Sequence, residues 1–122
     1  MKVLLGIGGT DDSYRALETT IERATEAADD LTVAVLDNPE SDPDPDDVAR
    51  KAETRLAEAS LDADVVRLEG DPGSQLVEVA ERDGFDRIVL GGGERSPMGK
   101  LTIGHVAEFV ILNATRTVTL VR

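Results

Sequence analysis

Two apolar segments that each end in glycines decide the fold. Residues 3–10 read VLLGIGGT and residues 87–93 read RIVLGGG. Residues 3–7 and 88–90 are apolar without alternation, which is typical of central strands in a parallel sheet that is covered on both faces. The glycines that follow mark a turn at the carboxyl end of each strand. The sequence therefore predicts two central strands, each followed by a glycine-rich turn.

Strands and helices alternate along the rest of the chain. The further apolar or alternating runs predict strands at Leu31–Leu36, Ala63–Leu68 and Thr117–Val121. Apolar residues at helical spacing, together with capping residues, predict helices over Asp11–Ala28, from about Pro45, from about Gly73, and over about Thr102–Asn113. Five strands in strict alternation with four helices indicate an α/β fold with a parallel sheet.

The character of the strands predicts their order. Residues 117–121 alternate polar and apolar side chains, which favours an edge position. If the first and fourth strands are neighbours, the order is 3-2-1-4-5, with helices on both faces of an open, Rossmann-like sheet. We prefer this order to the flavodoxin-like one, which would place the short turn at Gly70 beside the first strand. Residues 1–122 then form a single domain, and ligands bind in the crevice between the first and fourth strands.

Charge excludes one class of partner. The 122 residues include 25 Asp and Glu against 13 Lys and Arg, a net charge of -12. Nucleic-acid binding depends on neutralising phosphates with basic residues, so we expect no nucleic-acid partner. We interpret the acidity as adaptation to a salty cytoplasm, as in a halophile, where salt screens the repulsion between carboxylates. A surface for a basic partner is the alternative.

The cysteine content and the distribution of apolar residues narrow the class of protein further. The chain has no cysteine, so it has no disulfide framework and no thiolate metal site. It has no run of 18 apolar residues, and its start does not resemble a cleavable leader. With 40% apolar residues it can bury a core. We therefore expect a cytoplasmic domain that does not associate with a membrane.

The loop after the fourth strand carries the predicted chemistry. Residues 91–105 read GGGERSPMGKLTIGH. Glycines at Gly91 and Gly92 let backbone N–H groups approach an anion, and the helix that follows, from about Thr102, adds unpaired N–H groups. Ser96 supplies a further donor. This pattern predicts a phosphate cradle, and the alternative is a strand–loop–helix connection that needs its glycines for close packing.

Several motifs together resemble the universal stress protein family over the whole chain. They are GTDDSYRAL at 9–17, GDP at 70–72, DRIVLG at 86–91, Gly104 followed by EFV at 108–110, and VTLVR at 118–122. The resemblance implies a small regulatory and binding domain of the stress response that is not an enzyme. It also implies a homodimer joined through strand 117–121, and ATP or another adenine nucleotide as ligand, with Mg²⁺ if bound.

Nucleotide-binding members of that family carry Gly-x2-Gly-x9-Gly followed by Ser or Thr. Gly91 and Gly104 match the first and third glycines, whereas Glu94 and His105 replace the second glycine and the hydroxyl residue. Gly8 stands where the family often has an aspartate near the adenine. A carboxylate about 4 Å from a phosphate charge costs roughly 1–4 kcal/mol, depending on screening, so Glu94 weakens the predicted site.

Position in the predicted fold supplies the remaining site residues. Those expected to line the phosphates are Gly91, Gly92, Ser96, Gly104 and His105, and those expected near the base are Ile7, Gly8 and Val35. No catalytic residue and no resident metal are assigned. Two alternatives stay open: a dimeric stress-response interaction protein whose pocket has lost its nucleotide, and a slow nucleotide hydrolase using Glu94 or His105 as base.

Overall fold

The computed structural model describes residues 1–37, 44–92, 94–95, 101–102 and 104–122, with the backbone alone at 94–95 and 101–102. The described chain forms seven strands and four helices. Their bounds in chain order are β1 Lys2–Ile7, α1 Asp11–Ala27, β2 Asp30–Leu36, α2 Pro45–Glu58, β3 Asp64–Leu68, α3 Pro72–Arg82, β4 Arg87–Gly91, β5 Glu94–Arg95, β6 Leu101–Thr102, α4 His105–Asn113 and β7 Thr117–Val121.

Five of the strands form one parallel sheet in the order β3-β2-β1-β4-β7. The predicted order 3-2-1-4-5 is confirmed, with β7 as the fifth strand. In the register, Val3 lies beside Arg87 and Ile7 beside Val35. The carboxyl ends of β1, β2 and β4 therefore meet at one edge of the sheet, as the predicted ligand crevice requires.

The three helices that follow β1, β2 and β3 begin at side chains that accept hydrogen bonds from the first turn. The backbone N–H of Ser13 donates to Thr10 Oγ1 at 3.4 Å, that of Asp46 to Asp44 at 2.9 Å, and that of Ser74 to Asp71 at 3.0 Å. Pro45 and Pro72 occupy first helical positions, where a missing N–H costs nothing. These caps satisfy backbone donors that would otherwise lack partners.

Two apolar clusters cover the two faces of the sheet. One lies under α1 and α2 and includes Leu5, Ile7 and Val33, all fully buried. The other lies under α3 and α4 and includes Leu4, Leu76 and Ile88, also fully buried. The alternation of side chains along β1 thus feeds both clusters, which explains why residues 3–7 are continuously apolar.

The segment between β4 and α4 differs from the prediction. We expected a loop from Gly91 to Lys100 and a helix from about Thr102. Instead β5 and β6 pair antiparallel, with Glu94 opposite Thr102, and α4 begins at His105. A β-branched threonine loses side-chain freedom in a helix but fits a paired strand, which favours Thr102 in β6.

Among the described residues, no helix combines the length and the apolar character needed to cross a membrane.

An ion pair joins α1 to α2. Arg55 of α2 donates from Nε and from a terminal nitrogen to the two carboxylate oxygens of Glu18 on α1, and it also contacts Glu58. Hydrogen bonding from Arg55 holds the pKa of Glu18 below its ordinary value of 4.5. Because the folded pKa is lowered, the stabilisation is present above that ordinary value and is lost as the pH falls through the folded pKa.

We therefore expect Glu18→Gln to lower the denaturant midpoint at neutral pH and to leave it close to the wild type only in acid below the lowered pKa of Glu18 in the folded protein. The pair is partly exposed, so the difference at neutral pH is modest and shrinks with added salt. Urea unfolding across the acid range measures it. Glu22→Gln on the same helix is the control, and an effect of Glu18→Gln that did not vary with pH would contradict the assignment.

Candidate functional site

The candidate site lies where β1 and β4 end at the same edge of the sheet. β1 ends at Ile7 and β4 at Gly91, and the two strands are hydrogen-bonded neighbours. The chain leaves β1 for α1 on one face, and leaves β4 for α4 on the other. Because β4 and β7 are parallel, α4 connects the carboxyl edge back to the amino edge, so its N-terminus belongs to the candidate site.

The turn between β1 and α1 is fixed by one glycine and one cap. Gly9 has a φ of 86°, in the left-handed region that a side chain disfavours. Thr10 then caps α1: its hydroxyl donates to Asp12 Oδ1, and its carbonyl accepts from Ser13 Oγ at 2.9 Å. Gly8, assigned near the base, lies in this turn and is half-buried.

Gly91 is packed directly against the first turn of α1. A Cβ at this position would lie 2.7 Å from Asp12 Oδ2 and 2.8 Å from the Asp12 carbonyl carbon. Real Cβ atoms do not approach backbone atoms this closely. Gly91 is therefore required for the packing of β4 against α1, which is the packing role that the sequence had left as an alternative.

Gly92 faces the last strand. Its N–H donates to the carbonyl of Val121 at 2.6 Å, and a Cβ there would lie 3.1 Å from that same oxygen. The backbone donor of Gly92 is thus engaged with the end of β7. A ligand at this position would contact the surface of the turn. It would not accept a hydrogen bond from the Gly92 N–H, because that group is bonded to Val121.

Gly104 differs from these glycines. It is the N-cap of α4, with φ −66° and ψ 159°, an extended conformation that any residue adopts. No atom of the described residues lies within 4 Å of a Cβ built there, and no side chain caps the helix. Gly104 and His105 are both exposed. Among the parts of the chain that are described, neither backbone conformation nor packing explains a glycine here.

The two residues assigned near the base from β1 and β2 lie in the core. Ile7 and Val35 are register neighbours, and both side chains are buried, at 0% and 1% exposed. Both belong to the cluster under α1 and α2. A ligand at the sheet edge would therefore meet their backbone.

Some of the predicted site falls outside the described residues. Ser96, Gly93 and Lys100 lie there, as do the side chains of Glu94, Arg95 and Thr102. For Glu94 the structure gives the backbone pairing with Thr102.

The acidic residues at the start of α2 have structural partners. Asp44 caps the helix, Asp46 contacts Arg67 of β3, and Asp47 pairs with Arg50 at 3.2 Å. Within the described ranges, no three or more His, Cys, Asp or Glu side chains are grouped so that they could hold a metal ion.

The contact between Asp12 and Gly91 was missed from sequence, and nothing local in the sequence signals it, since 79 positions separate the two residues.

Comparison with known proteins identifies relatives of the whole chain. The model of the universal stress protein family matches residues 1–122. Stress response protein NhaX of Bacillus subtilis (strain 168) is 27% identical over 147 aligned positions, which cover 88% of this chain and 89% of NhaX.

Solved structures share the fold. A universal stress protein from Archaeoglobus fulgidus superposes with a TM-score of 0.81 at 22% identity, covering 100% of this chain and 98% of that one. A universal stress protein in complex with cAMP gives 0.78 at 24% identity, covering 100% and 96%. The universal stress protein of a further structure from Archaeoglobus fulgidus, in complex with dAMP, gives 0.74 at 18% identity, covering 100% and 98%.

The packing at Gly91 predicts a specific pattern of destabilisation. We expect Gly91→Ala to lower the free energy of unfolding by about 1–3 kcal/mol, because α1 must move away from β4 to admit a methyl group. Adding Asp12→Ala removes the carboxylate contact but leaves the backbone carbon at 2.8 Å, so stability returns only in part. Chemical denaturation of both variants measures this, and full recovery in the double variant would contradict it.

Proposed function

The chain belongs to the universal stress protein family, and from this premise we propose that it is a small regulatory domain of the stress response that works by binding an adenine nucleotide. The proposed place of action is the cytoplasm, and the proposed role is binding without turnover. Release of phosphate from ATP that disappears in a His105→Ala variant would contradict the last point.

The observation that carries the proposal is the exposed glycine at the N-cap of α4. Gly104 is exposed, has an ordinary φ, and has no described atom where its Cβ would lie. The N-terminus of a helix carries the positive end of the helix dipole, which favours an anion. A glycine at the N-cap lets a phosphate approach that backbone closely.

The position of this N-terminus determines where the other parts of the nucleotide are proposed to lie. Gly91 and Gly92 are proposed as the floor of the crevice, and the backbone at Ile7, Gly8 and Val35 is proposed to lie near the base. His105 and Ser96 are proposed as further donors to the phosphates. The complexes of related folds with cAMP and dAMP support an adenine nucleotide as the ligand class. ATP with Mg²⁺ is the proposed form for a longer phosphate chain.

Calorimetric titration tests the phosphate contact. We expect AMP to bind, and Gly104→Ser to weaken AMP binding about tenfold or more, a loss of about 1.4 kcal/mol. Serine is a good N-cap, so the variant should keep or gain thermal stability. Adenosine, which lacks the phosphate, is the matched control, and its weaker binding should not change in Gly104→Ser. Equal losses for AMP and adenosine would contradict a phosphate at Gly104.

Absence of AMP and ATP binding in the wild type would reject the proposal as stated. If Glu94→Gly combined with His105→Ser then conferred binding, the pocket would be one that has lost its nucleotide. The protein would in that case act as a dimeric interaction module, which is the second candidate function.

Exposed apolar side chains on α4 favour a dimer, whether or not the protein binds a nucleotide. α4 leaves Phe109, Ile111 and Leu112 exposed at 38%, 43% and 74%. β7 lies at the edge of the sheet, where unpaired backbone groups are available to a further strand. We propose that a second copy covers this side through strand 117–121, burying apolar surface next to the new pairing.

Sedimentation equilibrium tests the dimer. We expect a dimer at high potassium chloride and partial dissociation at low salt, because each copy carries a net charge of -12 and salt screens the repulsion. Leu112→Asp should shift the equilibrium to monomer. Ala57→Asp adds the same charge at an exposed position of α2, on the far side of the sheet, and should not. Monomer alone at every salt concentration would overturn the proposed assembly.

A further inference from the structure

A cavity lies between α1 and the sheet. Its volume is about 50 Å³, and its lining includes Val3, Ala24, Arg87, Val89 and Val121. Arg87 is the first residue of β4 and Val121 the last residue of β7, so the lining runs from the amino ends of the strands to the carboxyl edge. At that edge Val121 is the register neighbour of Gly91.

The alternation of side chains along β4 explains why a charged residue, Arg87, lines the cavity together with apolar residues. Arg87 and Val89 are two apart on β4 and share a face, and Val89 belongs to the cluster under α1. Val3 is the register neighbour of Arg87 on β1. An arginine is thereby placed on the face where the neighbouring positions are buried valines.

Arg87 is the unusual group in this cavity. Its Nε atom is buried, and among the described residues no hydrogen-bond acceptor contacts it. Burying a donor without an acceptor costs free energy, so buried donors in folded proteins nearly always have a partner. A guanidinium carries its donors in a planar set that matches a carboxylate.

The carboxylate already present has other partners. Asp29 also lines the cavity, and its side chain is only 4% exposed. One of its oxygens is 3.2 Å from the amino terminus and the other is 3.4 Å from Nε of Arg23. Asp29 is therefore neutralised by two cations of its own, and Arg87 stands as a further positive charge beside it.

We propose that this cavity binds a small aliphatic monocarboxylate, with the carboxylate accepting hydrogen bonds from Arg87 and the short chain packed against Val3, Val89 and Val121. The size fits, since one water needs about 10–15 Å³ and the cavity holds a ligand of only a few heavy atoms. The walls are almost entirely apolar, which favours a ligand with one charged end. The inference does not depend on nucleotide binding.

Propionate is the probe for this site. Its binding is monitored in two-dimensional amide NMR spectra of the isotope-labelled protein at constant ionic strength. We expect saturable shifts confined to residues around the cavity, including Val3, Ala24 and Val89. Propionamide has the same shape without the charge, and potassium chloride supplies an anion without the chain, so neither should produce these shifts. Equal shifts with potassium chloride, or none with propionate, would overturn the proposal.

Variants locate the contact. Arg87→Gln should weaken propionate binding about tenfold or more, whereas Arg50→Gln, at an exposed arginine of α2, should leave it unchanged. Thr20→Ile narrows the cavity from α1 without touching a charge and should also abolish binding, which keeps the test valid if Arg87→Gln does not fold. Undiminished binding in both Arg87→Gln and Thr20→Ile would overturn the assignment. Shifts at Thr20 that depend on protein concentration and not on propionate would also overturn it, because a second copy would then fill the cavity.

Discussion

The pairing of β1 with β4 is the constraint on which the rest of the structure depends. The two strands are far apart in sequence, yet Leu4, Leu5 and Ile88 are fully buried where they meet. Their parallel alignment brings the turn after β1 and the turn after β4 to one edge. The same alignment sets Val3 beside Arg87 at the other edge, under α1. One strand pair therefore positions both the proposed nucleotide site and the proposed carboxylate cavity.

Much of this architecture could be predicted from sequence because its signals are local. Unbroken apolar runs identified β1 and β4 as central strands, and the alternation at residues 117–121 placed β7 at the edge, with the bounds that the structure gives. Asp44 and Pro45 signalled the start of α2 in the same way. Such features follow from the chemistry of a few adjacent residues, so they need no knowledge of distant contacts.

The candidate site could be predicted only in outline, since its details depend on contacts between distant segments. Sequence assigned Gly91 and Gly92 to a ligand, which stays a prediction, and the structure adds that Gly91 packs against Asp12 and that the Gly92 N–H donates to Val121. The start of α4 was expected at Thr102, and backbone pairing between β5 and β6 moves it to His105. The buried Nε of Arg87 was likewise invisible, because burial there is created by α1 and the neighbouring strands.

The separation of β1 and β4 along the chain also bears on how the protein is made. The backbone N–H of Lys2 bonds to the side chain of Asp86, 84 residues later, at 2.8 Å. During synthesis, β1 can pair with β2 early, but its other flank stays open until the last third of the chain has emerged from the ribosome. Contacts of such long range slow folding, and open apolar strands invite association with other chains. Like charges repel, so the strong net negative charge of the chain opposes association between such half-made molecules.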